Sequence, residues 1–143
     1  MKEVTIYTDG ACRGNPGPGG WGAVLTFGVH QKEISGGSGQ TTNNAMELTA
    51  VIQALSQLNT PCRVTVYSDS QYVVSGAEKW IYGWIRRNWT TTSGTPVMNQ
   101  GLWMELIDLM KIHEVSFLWI RGHNGNKLNE LADELARSAI PVV

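Results

Sequence analysis

Apolar and polar positions alternate along Val4 to Tyr7 and again along Val64 to Tyr67. Each run then closes on a small hydroxyl residue and an aspartate, giving VTIYTDG over 4–10 and VTVYSDS over 64–70. Alternation in β-branched and aromatic residues predicts two short strands that end at Asp9 and Asp69. Trp21 to Phe27 and His30 to Ser35 read as two further strands, and the short Gly28-Val29 link makes them antiparallel neighbours. A three-strand meander therefore opens the fold. The glycines and prolines of GACRGNPGPGG, after the first strand, predict an irregular loop that passes its backbone close to something. GGSGQTTNN, from Gly36, reads as a second break.

The period then changes. Leu48, Val51, Ile52, Leu55 and Leu58 recur at helical spacing, and Asn44 followed three residues later by Glu47 resembles a capping box at the helix start. Glu47 stands one turn before Val51, at the edge of the apolar stripe, where it either caps the helix or points at the sheet. Arg63 to Ser68 is the fourth strand, and the intervening helix permits parallel pairing with the first. Leu102, Leu106, Leu109 and Met110 mark another helix, and Val115 to Ile120 the fifth strand. Leu128, Leu131, Ala132, Leu135 and Ala136 form the stripe of a last helix.

The two aspartates invite a geometric reading. Side by side and parallel, the strand ends lie about 4.8 Å apart, so both carboxylates face one crevice, where their repulsion favours a bound cation. The alternative is that each Asp starts a turn or caps a helix beginning near Ser70. The last helix adds Glu130, Asp133 and Glu134, and spacing alone does not choose among them, because Asp133 and Arg137 also form an ordinary solvated i, i+4 pair.

Composition narrows the class. At 143 residues, with 42% hydrophobic and 16% charged residues, the chain has the size and make-up of a single globular domain spanning 1–143. No membrane span or signal peptide is read, and two cysteines, Cys12 and Cys62, are too few for a disulfide framework, so the expected location is cytoplasmic. A net charge of −1 looks wrong for a nucleic-acid partner. Yet Lys79 to Met104 contains Lys79, Arg86 and Arg87 and no acid, and cations held by the carboxylates would turn the net charge positive. Trp80 and Trp84, one helical turn apart beside those arginines, suit a sugar-phosphate backbone, although such a Trp pair is more often core.

Taken in order, TDGACRGNPGPGG, TTNNAMEL, SDSQYV, RGHNG and NELADELA resemble bacterial type 1 ribonuclease H across nearly the whole chain. The resemblance implies an α/β fold, a five-stranded mixed sheet with helices on both faces, its first and fourth strands adjacent and parallel. It implies four catalytic, metal-binding carboxylates at Asp9, Glu47, Asp69 and Asp133, and a catalytic histidine at His123 on the glycine-flanked loop. The activity implied is endonucleolytic hydrolysis of the RNA strand of an RNA/DNA hybrid by two metal ions, leaving 5′ phosphates. The chain is expected to act as a monomer, and a module of the same fold that holds the hybrid without cutting it is the alternative. Clustered carboxylates are hard donors that suit two Mg²⁺, or Mn²⁺, and not zinc. By the same resemblance Cys12, Asn15, Asn43, Asn44 and Gln71 meet the RNA, amides being able both to donate to and accept from a 2′-hydroxyl. Thr42 and Asn99 grip a DNA phosphate, and Trp80 and Trp84 line the DNA channel. Two departures stand out: Gln40 replaces a common Arg, and TTTSGTPVMNQ over 90–100 lacks the lysines of bacterial relatives, so a weaker electrostatic grip is expected.

Overall fold

The computed structural model describes residues 1–122 and 124–142. Its strands are β1 (Lys2–Cys12), β2 (Gly17–Phe27), β3 (His30–Thr41), β4 (Cys62–Ser68) and β5 (Glu114–Trp119). They form one sheet in the order β3-β2-β1-β4-β5. β1 to β3 make the antiparallel meander, while β4 lies parallel to both β1 and β5. Register sets Tyr7 beside Tyr67 and Thr8 beside Ser68, so Asp9 and Asp69 follow at matched heights, as the repeated pattern predicts.

The helices are α1 (Asn43–Leu55), α2 (Gln71–Ser75), α3 (Ile81–Arg86), α4 (Gln100–Ile112) and α5 (Lys127–Ser138), with a π turn over Gly76–Trp80 joining α2 to α3. The main core lies between the sheet and the α1/α4 side. Ile6, Val64 and Val66 of the sheet meet Leu48, Val51 and Leu55 of α1 and Trp103 and Leu106 of α4, all at most 1% exposed. At the far end of the sheet the Nδ1 of buried His113 accepts the Cys62 N–H at 3.0 Å, and burial pushes this imidazole down into its neutral form.

Both glycine-rich stretches are strand, contrary to their reading as loops. β2 starts at Gly17 and β3 continues to Thr41, leaving only 13–16 as the turn. The reason is the packing of α5 on the opposite face of the sheet. A Cβ on Gly20 would stand 2.2 Å from the Ala136 carbonyl oxygen, on Gly22 2.6 Å from that of Ala132, and on Gly37 2.2 Å from that of Ala139. Glycine here admits a helix backbone, which is one of its established uses inside strands. Ala132 and Ala136 are fully buried on the helix side of this contact. Small residues on both surfaces thus bring α5 unusually near β1 and β2, and Asp133 comes with it.

Candidate active site

Four elements deliver one carboxylate each. Asp9 is the eighth residue of β1 and pairs with Gly22, so it shares the face that α5 covers. Asp69 follows the last residue of β4. It does not cap the next helix: that role falls to Ser70, whose Oγ accepts the Val73 N–H at 3.2 Å. Glu47 comes from the second turn of α1, and Asp133 from the middle of α5. All four border one crevice with Gly10, Ala11, Cys12 and Asn43.

The capping box is corrected by the structure. The residue that caps α1 is Thr42, whose Oγ1 accepts the Ala45 N–H at 3.2 Å, two positions before the expected Asn44. Glu47 thereby stands two residues past the position from which a side chain reaches back to the cap. It is buried, and its Oε1 has no hydrogen-bond partner among the described residues. An unpartnered buried carboxylate oxygen costs free energy unless something absent from the bare chain satisfies it. Carboxylate oxygens of Asp9, Glu47 and Asp69 lie within 4.8 Å of one another, close enough to share a cation.

Electrostatics agree with that geometry. Burial, then the Asp69 charge, then a hydrogen bond with Asp133 push the Asp9 carboxyl up to about 8, against one N–H donated by Gly10 at 2.9 Å. Burial followed by the charges of Asp9 and Asp69 also raises Glu47 well above the carboxylate range. A divalent cation reverses this logic by favouring the ionised forms. Asp133 lines the crevice and also accepts from Arg137 Nε at 3.0 Å, the i, i+4 pair expected from the spacing.

The other expected contact residues sit around this crevice or on the helices beside it. Cys12 borders the crevice, with Sγ 3.0 Å from the Gly14 carbonyl. Asn15 Oδ1 accepts the Asn43 N–H at 3.0 Å and ties the β1–β2 turn to the start of α1. Asn43 and Asn44 are exposed on the first turn of α1, and Gln71 is exposed as the first residue of α2. With its oxygen engaged in the cap, Thr42 keeps its hydroxyl proton to donate.

The two tryptophans divide. Trp80 is 42% exposed, whereas Trp84 is half-buried, its ring 5.3 Å from Trp103 and 6.0 Å from Trp80. Asn99 adopts a left-handed backbone (φ 59°) before α4, and its Nδ2 donates to the Tyr72 hydroxyl at 3.2 Å. Trp103 Nε1 donates to the same oxygen at 2.9 Å. Neither Tyr72 nor Trp103 was singled out from the sequence, although Trp103, Leu106 and Met110 do share helical spacing. Trp119 escapes sequence reasoning altogether: its indole N–H donates to the Asp69 carbonyl at 3.1 Å across 50 residues of chain. His123 lies outside the described residues.

Hard oxygen donors concentrated at the end of two parallel strands serve to hold divalent cations against a polyanion. Fold and site together define a cation-dependent enzyme of the mixed-sheet α/β kind. The RNase H family model matches residues 1–141, and the chain belongs to the RNase H family. Ribonuclease H of Cupriavidus metallidurans is 56% identical over 140 residues, covering 98% of this chain and 97% of that one. Ribonuclease H of Erythrobacter litoralis is 54% identical over 139 residues, covering 97% and 96%. Among solved structures, LC9-RNase H1, a type 1 RNase H with the type 2 active-site motif, superposes with a TM-score of 0.88 at 33% identity, covering 98% of this chain and 72% of that one. LC11-RNase H1 in complex with an RNA/DNA hybrid gives 0.74 at 29% identity, covering 96% of each chain.

Proposed function

We propose that this chain, working as one catalytic domain, hydrolyses the RNA strand of RNA/DNA hybrids with two Mg²⁺ ions held by Asp9, Glu47, Asp69 and Asp133. The observation that carries the reading is the mutual approach of three carboxylates within 4.8 Å, one of them with a buried, unpartnered oxygen. Family membership and a hybrid-bound relative support the substrate class. When bound, such ions supply activation of the attacking water and charge relief on the phosphodiester.

The chain's own residues do the rest. Asp9, within reach of the other carboxylates and accepting the Gly10 N–H, would hold the ions together with them. Asp69, braced through its carbonyl by Trp119, holds the second position. Glu47 and Asp133 close the cluster from opposite faces of the sheet. Asn15, Asn43, Asn44, Gln71 and the backbone near Cys12 read the 2′-hydroxyls of the RNA, which alone distinguish it from DNA at these positions. Thr42, Asn99, Trp80 and Trp84 take the DNA strand. His123 exchanges a proton near neutral pH and helps the product leave.

The test is one labelled hybrid assayed beside matched duplex RNA and duplex DNA, with and without Mg²⁺, for the parent and Asp9→Asn. Cleavage should be confined to the RNA of the hybrid, depend on the cation, and fall by at least about a thousandfold in Asp9→Asn, because that change removes a charged ligand common to both ions. Near-parental turnover by a folded Asp9→Asn protein would end the two-ion reading.

A further inference from the structure

Beside the carboxylate crevice, the β1–β2 turn and the end of α5 enclose a second hollow. It is lined by Ala11, Cys12, Arg13, Arg137, Ser138 and Ile140. Ala11 and Cys12 line the crevice as well, so the two depressions share a wall. An arginine enters from each side, and no Asp or Glu is among the lining residues.

Arg13 is held in place by its backbone. Its N–H donates to the Pro18 carbonyl at 2.7 Å, and its own carbonyl packs so tightly that a Cβ on Gly17 would lie 2.0 Å from it. The Asn15 to Asn43 bond fastens the same turn to α1. Among the described residues, no hydrogen bond or ion pair engages the Arg13 guanidinium. Arg137 spends only Nε on Asp133, which leaves its two terminal nitrogens. Forked, permanently charged donors on a fixed turn match the oxygens of a phosphodiester.

We propose that this hollow is a phosphate subsite for the RNA strand, held chiefly by Arg13 with Arg137 as its opposite wall. The inference rests on the hybrid-cleaving reading. The strand that reacts places one phosphate over the four carboxylates, and a neighbouring phosphate of that same strand crosses the shared Ala11–Cys12 wall. Phosphate contacts carry no sequence information and fix register, so Arg13 helps decide which linkage lies over the carboxylates. It also moves part of the electrostatic grip to the RNA side in a chain whose 90–100 loop has no basic residue.

The experiment uses the Asp9→Asn protein in Mg²⁺-free buffer, so that binding is read apart from cleavage. A fluorescent hybrid is titrated across salt concentrations against Asp9→Asn with Arg13 intact and with Arg13→Ala or Arg13→Lys added. Arg13→Ala should weaken binding about three- to twentyfold and lower the slope of log affinity against log salt by about one phosphate contact. Arg13→Lys should restore the slope, and Mg²⁺ affinity of the Arg13→Ala chain with native Asp9 should match the parent by calorimetry. RNA strands carrying a single neutral methylphosphonate locate the contact: one linkage should weaken binding when Arg13 is present and make no difference once it is Ala. An unchanged salt slope in Arg13→Ala, or a sensitive linkage on the DNA strand instead, overturns the subsite. If the Arg13-intact protein binds hybrid no better than matched duplexes, the reading beneath the proposal fails first and the subsite goes with it.

Discussion

At the scale of single residues, the proposed site divides into carboxylates drawn inward and amides left at the surface. Asp9 and Glu47 are buried and Asp69 and Asp133 partly buried, whereas Asn43, Asn44 and Gln71 lie exposed. Asn44→Ala should therefore reduce cleavage of the hybrid by about ten- to a hundredfold, since it leaves a 2′-hydroxyl contact unmade in a partly desolvated interface. Mg²⁺ affinity should hold, because Asn44 is not the cap of α1; Thr42 is. Calorimetry beside steady-state kinetics checks both halves, and a joint collapse of metal affinity and rate would make Asn44 structural. What the sequence conveyed at this scale was residue type and order. Which acid of the last helix belongs to the site was not readable, because Glu130, Asp133 and Glu134 differ only in rotation about an axis whose distance from the sheet depends on Gly20 and Gly22.

At the scale of elements, the strands were legible where alternation was strong and misread where glycine replaced it. Gly17, Gly19, Gly20, Gly22, Gly36 and Gly37 are strand residues, yet no local propensity says so. Gly20, Gly22 and Gly37 are explained by a partner more than 90 residues away, which no window along the chain contains. The capping box failed for a related reason: four hydroxyl or amide residues, Thr41 to Asn44, precede the apolar stripe, and each is a competent cap. The segment 90–100 is a different case, an exposed, uncharged loop after the aromatic cluster, with Thr92 and Met98 pointing outward. Lysine at both positions should steepen the salt dependence of hybrid binding, each added phosphate contact releasing counterions. A slope indistinguishable from the parent in the same titration would mean that the loop does not reach the nucleic acid.

For the whole molecule, the carboxylate cluster is a liability that a cation removes. Asp9 titrates near 8 in the folded chain against 3.8 as its ordinary value. Between those limits the folded state binds more protons than the unfolded one, so stability of the cation-free protein must fall as pH rises. Thermal unfolding without cation should show a midpoint at pH 8 at least about 3 °C below that at pH 5.5. Asp9→Asn should flatten the trend, and Mg²⁺ should raise the parent's midpoint at pH 8 by binding only the folded state. Identical pH profiles for parent and Asp9→Asn would place the source of the dependence elsewhere. Within the described residues no helix is long and apolar enough to cross a membrane.

The close seating of α5 on β1 and β2 has a consequence for how the enzyme comes into being. Asp9 leaves the ribosome well before Asp133, and the glycine-lined face that receives α5 stays bare in between. A chain still being translated has a sheet to form but only three of its four acids, and it is made within reach of RNA. Arrest of translation before Lys127 should yield nascent chains that do not cleave a hybrid supplied in trans, whereas arrest with α5 clear of the exit tunnel should yield active ones. The fourth carboxylate is thus supplied only once α5 has been made and seated on its glycines.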